Sequence, residues 1–309
     1  MYLKKSLIIA CFRRKKVKKK NLFGQIVLML AFAILCVLFI MPFVLLVSVS
    51  FSNEADIAMN GYKFWPENFA LSAYKYIFKN PTTILNAYKV TALYSIVGTV
   101  LSVFLQSLLA YTLSWGRMRG RKVISFYLYF TMLFSGGLVP TYILLTQYLH
   151  LDNTIWIYII PGLISPWNVF MIRTFFNNLP YEIYEASVID GASEFRIYAQ
   201  MAMPLSKPVL ATIALMTFLS KWNDWNTSLM YIDNSKLFSL QYLLQKILKD
   251  ITLLQQMEGS GHGMMNAVDI PSETVRMAMA IVVAGPALVI FPFFQKYFVK
   301  GLTVGSVKG

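Results

Sequence analysis

Histidine, cysteine and acidic residues are all scarce in this sequence, and each scarcity removes a class of function. The two cysteines, Cys11 and Cys36, give no disulfide framework and no cysteine-based metal site. The two histidines, His150 and His262, lie far apart in the chain, so neither a histidine metal centre nor histidine-based catalysis is indicated. Charged residues make up only 14% of the 309 residues, where a soluble domain carries nearer about a quarter. No Gly-x4-Gly-Lys-Ser/Thr phosphate loop occurs, so the sequence offers no such nucleotide site of its own. No catalytic constellation stands out, and the chain reads as a non-enzyme.

Apolar residues fill the gap. They form 57% of the sequence and the mean hydropathy is +0.57, which implies lipid as the solvent. Six stretches have the length and apolarity of a membrane span, roughly 22–50, 84–114, 123–148, 154–176, 206–230 and 276–298. Backbone polar groups in hydrocarbon must be satisfied within each segment, and the alternation of a barrel strand is absent, so the expected class is all-α integral membrane. The faint lipoprotein-like box Ile8-Ile9-Ala10-Cys11 has too short an apolar stretch before it and is read as coincidence.

The net charge of +14 does not point to nucleic acid, because of where the charge sits. Nine of the 28 basic residues fall within the first twenty positions, just ahead of the first apolar run. With that end inside, the inner segments hold nineteen basic residues and the outer ones six, the positive-inside asymmetry of a multi-pass protein with both termini cytoplasmic. Anionic lipid is a secondary partner for the basic cluster. The expected organisation is a basic cytoplasmic segment 1–21, a transmembrane domain 22–299 and a cytoplasmic tail 300–309.

Two outer loops are long, about 51–83 and 231–275. Within the second, Leu240, Leu243, Leu244, Ile247, Ile251 and Leu254 recur at helical spacing. A Gly- and Met-rich run, 257–265, follows. A helix lying along the membrane surface and a contact for a soluble partner or pore are both open readings of this loop.

Between the fourth and fifth spans lies an inner segment, 177–207. Pro180 can start a helix, and Glu182 and Glu185 suit its N-terminal dipole. Gly191 supplies the freedom for a sharp turn, and Ser193 can cap a second short helix. Pro204 and Pro208 mark the start of the fifth span. Glu185-Ala186-Ser187, then Gly191, then Met201-Ala202-Met203-Pro204 resembles the signature of ABC importer permeases: Glu-Ala-Ala, three residues, Gly, nine residues, Ile, any residue, Leu-Pro. The spacing matches throughout, with Ser for the second Ala and Met for both Ile and Leu. The likeness extends over most of the chain and is similar to the carbohydrate-uptake branch, multiple-sugar and polysaccharide-fragment type, second permease of a heterodimer.

That resemblance implies a type I ABC importer permease fold in a bacterial cell membrane. It also implies four kinds of partner: a second permease, an ATPase dimer that holds ATP and Mg, an extracellular or periplasmic sugar-binding protein, and the bilayer. It gives no cofactor to this chain. Glu185, Ala186, Ser187, Gly191 and Pro204 become the ATPase-coupling element, with Glu185 organising the docking surface and Gly191 permitting its turn.

The fifth span carries Lys221-Trp222-Asn223-Asp224-Trp225-Asn226 toward its outer end. Charge in a span usually faces a cavity or a partner. Lys221 and Asp224, three apart, are placed to neutralise each other on one helix face. Trp222, Asn223, Asp224 and Trp225 suit a sugar path; an interfacial tryptophan belt with an intersubunit polar contact is the other reading. Ser135-Gly136-Gly137 in the third span suggests a kink or close packing. The functional alternative is an ion-coupled secondary carrier working without an ATPase.

Overall fold

The computed structural model describes residues 22–115, 118–259 and 272–305. The basic segment 1–21, most of the Gly/Met run 257–265 with His262, and the last residues of the tail therefore lie outside the described residues. Among the described residues the regular structure is helical, with one isolated bridge between Ser52 and Phe69. The first helix, α1 (Leu22–Ser50), has no charge, and no residue of its most apolar stretch is buried within the chain. Such a face belongs in lipid or against another subunit. Two short helices follow, α2 (Glu54–Asn60), capped by Asn53, and α3 (Ser72–Ile77).

The axis of the molecule is α4 (Pro81–Ser114), which starts with proline at its first turn, where the missing N–H costs nothing. After it come α5 (Arg121–Leu133), α6 (Leu138–Ile143, continued by a wider turn to Tyr148), α7 (Trp156–Ile159) and α8 (Pro166–Asn177). The inner segment forms α9 (Tyr181–Ile189), α10 (Glu194–Ile197, continued to Ala202) and α11 (Met203–Leu205). The chain ends with α12 (Lys207–Trp222), α13 (Asn226–Tyr231), α14 (Leu240–Gly259) and α15 (Ser272–Gly305). One core cluster joins one half of α4 to α12, α14 and α15 through Ile84, Ala87, Phe218, Trp222, Leu240 and Met279. A second joins its other half to α8 and to the segment after Gly191.

Three of these helices, α1, α4 and α15, are long and apolar enough to cross a membrane by themselves, and two bent pairs raise the number to five. The sequence suggests six, and the difference has local causes. The third stretch bends by 116° at Phe134–Gly137, where Gly137 takes φ 87°. Pro161, Gly162 and Pro166 interrupt the fourth between α7 and α8. The chain turns by 81° at Ser206 as it enters the fifth, whose helix stops at Asn223. The amphipathic helix α14 does not lie apart from the bundle: Leu240, Leu243 and Ile251 are buried against Val275, Ala278 and Met279 of α15.

Candidate functional site

Two places carry the chemistry singled out in the sequence. The first is the reversal from α9 into α10. Gly191 takes φ 73°, and the backbone closes a double-bonded helix stop around it: Gly191 N–H donates to the Val188 carbonyl and Ala192 N–H to the Ser187 carbonyl, both at 3.0 Å. Ser193 then caps α10 by accepting from Arg196 N–H at 3.4 Å. Glu185, Ala186, Gly191 and Pro204 are exposed, whereas Ser187 is buried. The Ser187 hydroxyl donates to the Ile183 carbonyl at 2.6 Å and also sits 2.7 Å from Met201 Sδ, tying α9 to the returning chain.

The tip of this reversal is apolar and uncovered, with Ile189 85% and Phe195 64% exposed. Its base is fastened to α4. Glu194 accepts from Tyr184 OH at 2.7 Å and from Tyr111 OH at 3.1 Å, while the Trp115 and Tyr184 rings lie 3.7 Å apart. Tyr198 and Ser107 share a hydroxyl–hydroxyl bond of 2.7 Å. A pocket of about 220 Å³ remains between this segment and the bundle, lined by Tyr111, Trp115, Phe176, Tyr184 and Met201.

The second place is a cavity of about 680 Å³ between α4, the α7–α8 break and the end of α12. Asn223, Asp224 and Trp225 line it. Trp222 does not: it is 3% exposed, packs on Phe218 and donates its indole N–H to the Val283 carbonyl at 3.1 Å. The helix ends at Asn223, so the residues beyond it no longer follow helical spacing. For the same reason Lys221 and Asp224 do not pair. Lys221 Nζ donates to the Tyr158 carbonyl at 2.8 Å, and Asp224 Oδ1 accepts from Thr227 N–H at 3.0 Å, capping α13. Asn223 accepts from Gln241 at 2.9 Å.

A polar stripe on α4, which the sequence analysis does not single out, supplies Ser102 and Gln106 to the cavity wall. Its members Thr91, Ser95, Thr99, Ser102 and Gln106 are all buried. Their spacing of four, four, three and four residues keeps them on one helix face, a signal visible in the sequence once the apolar run is unwrapped at helical period. Ser102 and Gln106 both donate to the Leu163 carbonyl at 2.9 Å. Together with Lys221 on Tyr158 they satisfy carbonyls that the break between α7 and α8 leaves open, the condition for an interrupted helix in a membrane. Among the described residues, no group of three or more His, Cys, Asp or Glu side chains is placed to hold a metal.

The sequence profile of the "Binding-protein-dependent transport system inner membrane component" family matches residues 106–304. Protein LplC of Bacillus subtilis is 39% identical over 271 residues, covering 87% of this chain and 90% of that protein. The polygalacturonan/rhamnogalacturonan transport system permease protein YtcP of the same organism is 35% identical over 293 residues, covering 94% and 100%. Among solved structures, a bacterial ABC transporter involved in the import of the acidic polysaccharide alginate has a chain that superposes with a TM-score of 0.76 at 27% identity, covering 89% of this chain and 96% of that one. A family match over more than half of the sequence, two relatives above 30% identity and a shared fold agree: the chain belongs to the binding-protein-dependent transport system inner membrane components and has the fold of an ABC importer permease.

Proposed function

We propose that this chain forms half of the translocation path of an ATP-driven sugar or oligosaccharide importer and couples to a cytoplasmic ATPase through residues 185–204. The observation that carries the reading is the α9–α10 reversal, a glycine-closed knob with an uncovered apolar tip and a base bolted to the central helix α4. Ile189 and Phe195 offer the ATPase an apolar contact, and Glu185 beside them adds a polar one. ATP and Mg stay on the partner ATPase, and this subunit catalyses no reaction itself. A second permease completes the path, a binding protein delivers the cargo, and both termini face the cytoplasm with the knob. The saccharide assignment draws on the cargoes named for the relatives and on the polar cavity with the Trp225 ring at its edge. Family membership leaves the ion-coupled alternative without support.

The test is Gly191→Asp in the complete complex reconstituted with its ATPase and binding protein. Position 191 has open space around it but a left-handed backbone, so the side chain strains the turn and places charge at the docking tip. ATP hydrolysis should continue while ATP-driven uptake is lost. Uptake at the unmodified rate would overturn the assignment.

A further inference from the structure

We propose that the cavity beside Lys221 takes the carboxylate of an acidic saccharide unit, with the Lys221 ammonium as its counter-ion; this deepens, and rests on, the sugar-importer reading above. Lys221 is 8% exposed and lines the cavity. Its ammonium has three donors, of which the Tyr158 carbonyl takes one. Among the described residues no carboxylate lies within 4.0 Å of it. The charge of Asp224 bears on Lys221 without forming an ion pair, and a buried cation left so is costly unless further negative charge is supplied, which in a transport path the cargo is positioned to do.

The fold builds this position. Tyr94 OH holds the Lys221 carbonyl at 3.0 Å. At Gly98, a Cβ would come within 2.8 Å of Lys221 Cε, so the end of the lysine side chain lies directly on α4. Gly162 leaves similar room, its Cβ position being 3.5 Å from Nζ. Gln106 Oε1 and Thr217 Oγ1, on residues that line the cavity, are buried without a partner. A bound sugar sets its hydroxyls, each donor and acceptor at once, against this polar lining, and the half-exposed Trp225 ring offers a face for a pyranose.

Asp224 is the acid in the same lining, and its free oxygen sets the limit on charge. One carboxylate beside Lys221 is neutralised there, whereas a doubly charged phosphate would meet Asp224 as well. A neutral sugar would leave the ammonium with only the unpaired charge of Asp224 in the lining. The ligand that meets all of these demands is a monoanionic uronate-type ring.

The experiment measures ATP-driven uptake of tetragalacturonate and of its methyl ester by the full complex in proteoliposomes. The two differ in charge and barely in shape. Lys221→Gln should lower uptake of the free acid by about tenfold, the scale of a lost charge-assisted hydrogen bond, and leave the ester nearly unchanged. Lys221→Arg should retain preference for the acid. Asp224→Asn, which keeps the cap on α13, should raise the acid-to-ester ratio, and it also serves if the Lys221 variants do not assemble. An acid-to-ester ratio that stays fixed across Lys221→Gln, or across Asp224→Asn where the lysine variants do not assemble, overturns the proposal. So does a wild-type complex that imports neutral oligosaccharides but neither probe, with the importer reading intact. If no saccharide moves with ATP, the importer reading itself falls.

Discussion

Ser187 stands where the family pattern has alanine and Met201 where it has isoleucine, and these two departures touch each other at 2.7 Å across the base of the knob. A hydroxyl against a thioether is a weak bond, and Ser187 has the Ile183 carbonyl as a second acceptor. Ser187→Ala should therefore cost no more than about 1 kcal/mol of stability, read by thermal unfolding of the purified complex. Adding Met201→Ile to that variant, which restores the family pair, should recover part of the loss. A sharper contrast is expected at Gly98. Gly98→Ala pushes the end of the lysine side chain aside and should cost about 1 kcal/mol, the low end of overpacking because that side chain is flexible. In the background of Lys221→Ala the same substitution should cost far less, because the clashing atoms are gone. Additive losses in that double-mutant cycle would mean that Gly98 serves some other contact.

At the scale of elements, a carboxylate joins the first short helix α2 to the last helix α15. Glu54, in the first turn of α2, accepts from the backbone N–H groups of Glu273 and Thr274 at 2.8 and 3.0 Å and from the hydroxyls of Ser272 and Thr274 at 3.1 and 2.7 Å. It thus caps α15 from outside, where negative charge also suits the helix dipole. Nearby, Tyr62 donates to Glu273 at 2.9 Å, and that bond, with some burial and the negative charge of Glu273, raises the phenol's pKa above its ordinary value. Glu54→Ala should destabilise the fold by about 3 kcal/mol and speed amide exchange in the first turn of α15; Glu54→Gln should cost less. No change in exchange at residues 273–276 would sink this account. None of this was legible in the sequence, because a cap delivered from more than two hundred residues away leaves no local pattern. The helices themselves were legible from apolar runs, and the knob from its spacing. The break at Asn223 was not, and it misled the reading of Trp222 and of the Lys221–Asp224 pair. The polar stripe on α4 was readable at period 3.6, but it was masked by the apolar residues around it.

For the molecule as a whole, α4 is the part that meets both functional places. At 34 residues it is on the order of 50 Å long. Tyr111 and Ser107 grip the knob through Glu194 and Tyr198, while Gln106 and Ser102, within the adjoining turns, form the cavity wall. A displacement of the knob therefore reaches the cavity through a few turns of one rigid helix, with no relay of loops between them. On the proposed coupling role, this makes the Glu194 clamp the joint through which ATPase movement is delivered. Glu194→Ala removes both tyrosine contacts, leaves the exposed tip intact and should preserve assembly with the ATPase. The expected result is ATP hydrolysis that no longer responds to the loaded binding protein, together with fewer sugars moved per ATP. Tyr111→Phe and Tyr184→Phe, each removing one bond, should give intermediate ratios, and the double Phe variant should match Glu194→Ala. If instead the ratio of transport to hydrolysis stays constant while both rates fall together, the clamp only holds the fold, and the drive must pass into the bundle through the 81° bend at Ser206.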